Sequence, residues 1–350
     1  MNLYLTRAGR LRRQDNTLRF ETVSLPPEEE HTDPETESGE LDEKAADGIN
    51  TLPVESIDAV YVFGEITLNS KLVNFLSSRK IPVHFFNWFG NHTGTLLPHA
   101  EQLSGDLVIR QGEAYRNQEE RLQICRALLE ATFHNIRSVL LYHDRRKGGL
   151  AEAVETVEQL AERLRECSTP EELMGVEGNV RRIYYQAWSV WLGDAGKPFK
   201  RVYHPPDNPL NALLSFLNSL LYTACVSELY RTALYPGISY LHTPQTRRFS
   251  LALDLVEPFK PVMVDRLLFR LWGCRMVGDK DFRRHSNGFL LTDDARRRIL
   301  QEWDQELRRT VQCPTLSRSV SYRQLLRLDC YKLVNFLLEK REYKPYQMEY

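Results

Sequence analysis

Short runs of apolar and polar residues, rich in β-branched and aromatic side chains, fill the first hundred positions of the chain. Glycines separate these runs, and the pattern predicts β-strands. The predicted strands cover residues 3–6, 17–23, 59–63, 81–86 and 93–97. Between the third and the fourth strand, apolar residues at helical spacing predict a single helix over residues 70–78.

After about Leu103 the apolar residues recur at steps of three and four, which is typical of helices that bury one face. The predicted helices cover residues 118–142, 150–166, 170–192, 209–233, 255–273, 292–309 and 319–339. The pattern therefore predicts an α+β protein. A β-rich domain over residues 1–102 precedes a larger all-α domain over residues 103–350.

An acidic segment interrupts the predicted strands. Residues 26–50 are rich in Pro, Glu, Asp, Ser and Gly, a composition that predicts a mobile acidic loop between two strands. Residues 28–47 hold ten acids and one base, so the net charge of the rest of the chain is +8 although the whole chain has −1. A basic body of this kind is compatible with a polyanionic partner.

The overall composition is that of a soluble globular protein, with 42% hydrophobic and 27% charged residues. No run approaches the ~18 apolar residues of a membrane span, and the first residues lack a signal-type apolar stretch, so we expect a cytoplasmic protein. The six cysteines have no zinc-ligand spacing and are too sparse for a disulfide scaffold. They are expected to be free, mostly buried thiols.

The first candidate for chemistry is a glutamate in the predicted helix that begins with a capping box at Thr169. Glu177 falls on the apolar stripe of this helix, where a carboxylate is costly unless it is paired or binds a metal ion. Gly175 and Gly178 flank it, and they allow another backbone or a substrate to approach closely. The simpler alternative is an ion pair between Glu177 and Arg181, one turn further on.

The second candidate is a group of two carboxylates and a histidine. On a helix, Asp254 and Glu257 would share one face and could bind one divalent cation. Pro258 and Pro261 lack backbone donors, which places the pair in the first turn of a helix, where carboxylates are also ordinary capping residues. His242 precedes this pair, and a lone histidine is more often a hydrogen-bonding residue than a ligand.

One glutamate, one histidine and one or two further carboxylates would form a mixed nitrogen and oxygen ligand set. Such a set suits Mn²⁺ or Mg²⁺ better than a thiolate-preferring metal. Basic residues near these positions would then face phosphate groups of DNA. The candidates for DNA binding are Arg181, Arg182, Arg247, Arg248, Lys260, Lys200 and Arg201.

Three segments in order give the chain a resemblance to the Cas1 family of CRISPR-associated integrases. They read NPLNALLSFLNSLLY at 208–222, ISYLH at 238–242 and FSLALDLVEPFKP at 249–261. The upstream EGNVRRIYY at 177–185 is similar to the glutamate-containing helix of that family, and residues 57–64 and 81–86 look like its N-terminal sheet. The likeness covers nearly the whole chain.

The resemblance implies a sandwich-like N-terminal domain, a helical catalytic domain and a homodimer formed largely through the N-terminal part. It also implies a larger complex with a small partner, the Cas2 protein. Glu177, His242 and Glu257 would match the metal ligands of the family, with Mg²⁺ or Mn²⁺ as cofactor, and Asp254 would match its neighbouring catalytic acid. Lys260 stands where the family often has Arg, which keeps the charge but loses the bidentate fork.

The implied activity is insertion of short foreign DNA duplexes into a CRISPR array, in antiviral defence. A 3′-hydroxyl would attack a phosphodiester, with a metal ion lowering the pKa of that hydroxyl. Two alternatives stay open. One is a metal-dependent nuclease for branched DNA with no role in insertion, and the other is a non-catalytic DNA-binding scaffold whose carboxylates are structural.

Overall fold

Two structural units follow one another along the chain, residues 1–100 and residues 101–350. The first is built mainly of strands and the second mainly of helices, which confirms the predicted fold class. The computed structural model describes residues 1–23, 46–98, 104–192, 199–202, 205–244, 249–285, 288–313 and 316–349.

The first unit contains two four-stranded sheets and one helix within its described residues. One sheet has the strand order β1-β5-β7-β8, with parallel pairing except between β7 and β8, and the other has the order β4-β3-β2-β6. The elements are β1 (Asn2–Leu5), β2 (Gly9–Gln14), β3 (Thr17–Val23), β4 (Ala46–Pro53), β5 (Ala59–Val62), β6 (Ile66–Thr67), α1 (Ser70–Ser78), β7 (Val83–Phe86) and β8 (His92–Leu96).

The two sheets and the helix share one hydrophobic core. Val60 and Val83 come from the first sheet, Leu11 and Leu18 from the second, and Leu72 from α1, and all five are buried. Each sheet thus contributes one of its faces to this core.

Three strands of the second sheet were not predicted, namely β2, β4 and the short β6. In β2 the residues between Gly9 and Gln14 are mostly charged, and Leu11 is the residue that enters the core. Strand β4 begins at Ala46, inside the segment 26–50 that the composition assigned to a loop, and it pairs with β3. Cross-strand pairing overrides a composition that by itself indicates a loop. Residues 26–45 of the acidic segment lie outside the described residues.

The second unit is mostly helical and also carries two β-hairpins. Its helices are α2 (Gly105–Arg116), α3 (Gln118–Lys147), α4 (Ala151–Glu162), α5 (Pro170–Leu192), α6 (Pro209–Tyr230), α7 (Ser250–Val256), α8 (Arg266–Gly273), α9 (Asp293–Arg308) and α10 (Tyr322–Glu339). The hairpins are formed by β9 (Phe282–His285) with β10 (Gly288–Leu291), and by β11 (Thr310–Cys313) with β12 (Arg318–Ser321). The expectation of purely helical structure therefore missed the hairpins, whose strands contain charged and small polar residues.

Helix α6 runs through the interior of the helical unit. Among the described residues it is the helix whose length and hydropathy would suit a membrane span, but 72% of that apolar stretch is buried inside the protein. It is therefore explained as a core helix. The six cysteines are free thiols, and all but Cys274 are buried.

The helix predicted over residues 255–273 begins earlier and is broken. Helix α7 starts at Ser250 and ends at Val256, a π-helical turn covers Lys260–Asp265, and α8 follows. Asp254 and Glu257 therefore lie at the end of α7 and just after it, not in a first turn. Pro258 and Pro261 cannot donate backbone hydrogen bonds, and this interrupts the helical ladder at the point where the pitch changes.

An acid is buried at the end of that π-helical turn. Asp265 is 2% exposed. Burial raises the pKa of its carboxyl to about 7, even though the positive charge of Arg181 opposes the shift. The ionised form of Asp265 is thus a destabilising feature of the fold near neutral pH.

Asp265→Asn is expected to remove a pH-dependent loss of stability. The folded-state pKa of about 7 lies above the ordinary value of 3.8, so between these pH values the folded protein keeps a proton that the unfolded chain has lost. The free energy of unfolding of the wild type therefore falls as the pH rises through this window. Chemical denaturation should show the variant gaining about 1 to 3 kcal/mol more at about pH 8 than at about pH 5. Equal differences at the two pH values would contradict the assignment.

Candidate active site

Arg181 connects two of the predicted site residues. Its guanidinium donates through Nε to Glu177 Oε1 at 2.9 Å and through Nη2 to Glu257 Oε2 at 2.6 Å. Glu177 and Arg181 are one turn apart on α5, so the ion pair that sequence spacing suggested is present. Thr169 begins this helix as predicted, because its hydroxyl accepts the backbone N–H of Glu172. The arginine thereby ties α5 to the chain that follows α7.

Glu257 is a buried acid whose two oxygens are both bound by cations. Its side chain is 4% exposed, and both of its oxygens are held, since Lys260 Nζ lies 2.5 Å from Oε1 while Arg181 binds Oε2. Burial alone would raise the pKa of Glu257, but the positive charges of Lys260 and Arg181 outweigh it and lower the pKa below its ordinary range. Glu257 is therefore an ionised carboxylate that has itself little contact with bulk water.

Asp254 orients the histidine. Its Oδ1 lies 2.7 Å from His242 Nδ1 and also accepts the His242 backbone N–H at 2.9 Å. Its Oδ2 accepts the backbone N–H groups of Tyr240 and Leu241 at 2.6 and 3.0 Å. Both oxygens are thus engaged with residues 240–242. Asp254 is placed to hold this loop and the imidazole ring, and not to share a cation with Glu257.

The second ring nitrogen of His242 faces Glu257, with 3.8 Å between Nε2 and Oε1. Burial would lower the pKa of His242, but the hydrogen bond that the ring donates to Asp254 and the charge of Glu257 outweigh this and raise it. A carboxylate behind Nδ1 fixes the ring orientation and leaves Nε2 directed at the site, as in metal centres that use histidine.

Whether a metal ion fits this site depends on its two positively charged side chains, Arg181 and Lys260. Among the described residues, no three His, Cys, Asp or Glu side chains are arranged to hold a metal ion. Arg181 lies between Glu177 and Glu257, and Lys260 binds the other oxygen of Glu257. The donor chemistry nevertheless suits Mn²⁺ or Mg²⁺, with one imidazole nitrogen and two ionised carboxylates. The ligand set of Glu177, His242 and Glu257 fits in its chemistry and requires the two cations to move aside.

The glycines beside Glu177 leave open space. A side chain built at Gly175 or Gly178 would meet no described protein atom within 4 Å. No described part of the chain therefore approaches α5 closely at these glycines, and the helix surface next to Glu177 is accessible from outside.

The residues predicted to bind DNA fall into three groups. Arg182 and Lys200 are exposed. Arg181 and Lys260 are bound to site carboxylates, and Arg201 donates to the backbone and side chain of Asn211 and to the Ser215 hydroxyl. Arg247 and Arg248 lie outside the described residues. Exposure thus leaves Arg182 and Lys200 as the described candidates able to reach a phosphate without breaking a contact.

Three supporting residues were missed by the sequence analysis. Arg121 Nε donates to the carbonyl of Tyr240 at 2.8 Å, and Asn135 Nδ2 donates to the carbonyl of Pro258 at 2.7 Å. Both lie on α3, more than a hundred positions before their partners, so no local pattern could reveal them. Asp265 had a visible signal, since it is an acid at the end of the apolar run Val262-Met-Val.

Comparison with known proteins gives the same family as the sequence motifs. The sequence profile of the family "CRISPR associated protein Cas1" matches residues 3–305. The chain is 39% identical over 347 residues to the CRISPR-associated endonuclease Cas1 of Fusobacterium nucleatum, covering 99% of this chain and 96% of that protein. It is 40% identical to a CRISPR-associated endonuclease Cas1 of Moorella thermoacetica, over 98% of this chain and 97% of the relative.

Solved structures share the fold. A Cas1 protein from Thermotoga maritima superposes with a TM-score of 0.82 at 35% identity, and both chains are covered in full. A casposase bound to its integration product has a TM-score of 0.83 at 20% identity, over 99% of this chain and 94% of that one, which shows likeness of fold alone. The profile match and the full-length relatives show that the chain belongs to the Cas1 family of CRISPR-associated endonucleases.

Proposed function

We propose that this protein is a metal-dependent DNA integrase and endonuclease that inserts short foreign DNA duplexes into a CRISPR array. The observation that carries the proposal is the arrangement of His242, whose Nδ1 is held by Asp254 while Nε2 faces the buried, ionised Glu257. An oriented imidazole beside a charged carboxylate is a site for a Lewis acid. The relatives named as endonucleases and the fold shared with an integration-product complex support the same reaction class.

The metal site would use Glu177, His242 Nε2 and Glu257. When bound, the ion would lower the pKa of the attacking 3′-hydroxyl and stabilise negative charge on the phosphoryl oxygens. In the reaction a new bond forms between the 3′-oxygen and phosphorus, and the bond to the leaving 3′-oxygen breaks. The attacking hydroxyl loses its proton and the leaving oxygen gains one. With water as the nucleophile the same exchange is hydrolysis.

Arg181 and Lys260 have a defined part in this proposal. Both are cations beside Glu257, and the Lys260 side chain is one-quarter exposed. A phosphodiester entering the site offers them an alternative anionic partner, so they can turn from the carboxylates to the phosphoryl oxygens. Their movement would release Glu177 and Glu257 to act as ligands.

The DNA backbone has a surface to follow next to the site. Arg182 on α5 and Lys200 are exposed cations suited to phosphate contacts that do not depend on sequence. The open helix surface at Gly175 and Gly178 lets a backbone approach Glu177. Cytoplasmic action as a homodimer together with Cas2 belongs to the same proposal. A fold neighbour at 20% identity lies within a complex named Cas6-RT-Cas1–Cas2, where this chain covers 36% of the neighbour.

The test is strand transfer on a labelled branched duplex that mimics a half-integrated DNA strand. We expect the wild type in Mn²⁺ or Mg²⁺ to release the branch and rejoin the broken strand, and EDTA to stop the reaction. Glu177→Ala and His242→Ala should each lower the rate by about two orders of magnitude or more. Duplex binding should be nearly unchanged, because the phosphate contacts remain.

Glu171→Ala is the matched control, since it removes an exposed carboxylate from the first turn of the same helix. It should keep the wild-type rate. Cleavage without rejoining would favour a branched-DNA nuclease. Wild-type activity in either site variant would contradict the site assignment, and full function in EDTA would favour the scaffold alternative.

Gly178→Ala is expected to raise the stability of the protein and to lower its strand-transfer activity. Alanine in a helix interior is more favourable than glycine, and no described atom would clash with the added methyl group, so the free energy of unfolding should rise by up to about 1 kcal/mol. Strand transfer should fall, because the methyl group occupies space that the DNA backbone needs.

Gly112→Ala on α2 is the control for this prediction, as it too meets no described atom. It should raise stability without lowering the rate. Denaturation and single-turnover kinetics measure the two effects. A more stable Gly178→Ala protein with undiminished strand transfer would show that DNA does not approach α5 at this point.

A further inference from the structure

The C-terminal segment, residues 343–349, packs against the turn that carries Glu257. The ring of Tyr346 stacks on the ring of Phe259, with centroids 5.3 Å apart and planes inclined by 12°. Phe259 is fully buried, and Tyr346 is 8% exposed. A residue two positions after Glu257 is thus covered by a part of the chain that lies nearly ninety positions further on.

Asn135 of α3 forms hydrogen bonds with both the turn and the C-terminal segment. Its Nδ2 donates to the carbonyl of Pro258 at 2.7 Å and to the carbonyl of Tyr346 at 3.0 Å. Its Oδ1 accepts the backbone N–H of Met348 at 2.7 Å. The amide is fully buried and uses both of its donors and one acceptor position. One side chain of α3 therefore holds the turn after Glu257 and the C-terminal segment together.

Further contacts hold the segment at Tyr346 and Met348. The backbone N–H of Tyr346 donates to Oδ2 of the buried Asp329 at 2.7 Å. His134 Nε2 lies 3.0 Å from the carbonyl of Met348, and Arg266 Nη1 lies 3.4 Å from the Met348 sulfur. Contacts from α3, α8 and α10 thus fix residues 346–348.

The turn at residues 257–259 needs such support from outside. Pro258 and Pro261 supply no backbone donors, and the helical pitch changes here between α7 and the π-helical turn. Removal of Asn135 would take away the buried hydrogen bond between its amide and the carbonyl of Pro258, which is costly. The backbone of Glu257 is therefore held by contacts of its neighbours with α3 and the C-terminal segment.

We propose that Asn135 and the C-terminal segment 343–349 position Glu257 for the reaction. They do not touch the DNA, and they act by fixing the backbone that presents the carboxylate to Arg181, Lys260 and His242. The catalytic consequence rests on the proposed function, whereas the mechanical link between segment and turn can be tested without it.

The first test compares single-turnover strand-transfer rates of Asn135→Ala and Tyr346→Ala with the wild type. We expect a fall of about 10- to 100-fold, because small misplacements of a catalytic group are expensive. Duplex affinity should stay within about twofold, because the phosphate contacts are untouched. Tyr346→Phe keeps the stacked ring and should restore the wild-type rate. Deletion of residues 347–350 removes the Met348 contacts and leaves the Tyr346 ring. It should lower the rate as well, and it takes the place of either alanine variant that fails to fold.

Leu337→Ala is the matched control for lost stability, since Leu337 is fully buried in α10 and its carbonyl accepts a hydrogen bond from Arg110 of α2. Well below its unfolding temperature it should keep the wild-type rate. A folded Asn135→Ala or Tyr346→Ala protein with the wild-type rate would overturn the inference. A loss in Leu337→Ala equal to that in Tyr346→Ala would overturn it too.

Hydrogen exchange gives a readout that does not depend on activity. In Tyr346→Ala and Asn135→Ala, the amides between residues 250 and 262 should exchange about tenfold faster or more than in the wild type, and in Leu337→Ala they should not. If the wild type lacked strand transfer but showed this pattern, the proposed function would fail while the link between segment and turn held. Unchanged exchange in both variants would overturn the link itself.

Discussion

The ionised carboxylate of Glu257, whose side chain is 4% exposed, sets a strong constraint on the part of the helical unit that holds the site. An unpaired buried charge costs several kcal/mol, so the fold must bring compensating charge to it. Arg181, from α5, and Lys260, three positions after Glu257, supply this charge. Because Arg181 also binds Glu177, the same guanidinium that compensates the charge of Glu257 fixes the position of the Glu177 carboxylate. The packing of α5 against the region after α7 follows from this requirement.

Asp254 plays the corresponding part for the loop before α7. Three successive backbone N–H groups, those of residues 240–242, converge on its two oxygens. A loop whose amides are satisfied in this way has little freedom to shift. The same carboxylate orients the His242 ring, so the direction of Nε2 is an outcome of how the loop is folded. This explains why Asp254, although it lies in the same motif as Glu257, is turned away from it.

Sequence reasoning succeeded where the cause is local and failed where it is not. The helix start at Thr169 and the pair Glu177–Arg181 depend on spacings of three and four residues, and both are present in the structure. The broken helix after Val256 was missed, because the π-helical turn depends on packing as well as on its prolines. The family motifs brought Glu177, His242 and Glu257 into one group, whereas composition and periodicity left each of them with an ordinary structural alternative.

The support from α3 shows a further limit of the same kind. Arg121 and Asn135 donate to backbone carbonyls. Every residue has such a carbonyl, so no pattern of side chains in the sequence marks these partners. Strand β4 was hidden for a related reason, since its pairing with β3 is decided by a partner and not by its own composition.

The charges of the site finally suggest how metal and DNA binding depend on each other. Glu177, Glu257 and Asp254 contribute three negative charges, and Arg181 and Lys260 contribute two positive ones. With a neutral His242, as a metal ligand must be, this buried group has one negative charge in excess. A dication alone would leave it one charge positive, and one phosphodiester anion in addition would make it neutral. Since a net charge is costly next to a carboxylate as buried as Glu257, each proposed ligand lowers the cost of binding the other. By reciprocity, DNA should tighten the proposed metal site by the same factor by which the metal tightens DNA at this site. In the absence of both metal and DNA, Arg181 and Lys260 are the counterions that stabilise the site carboxylates in the folded protein.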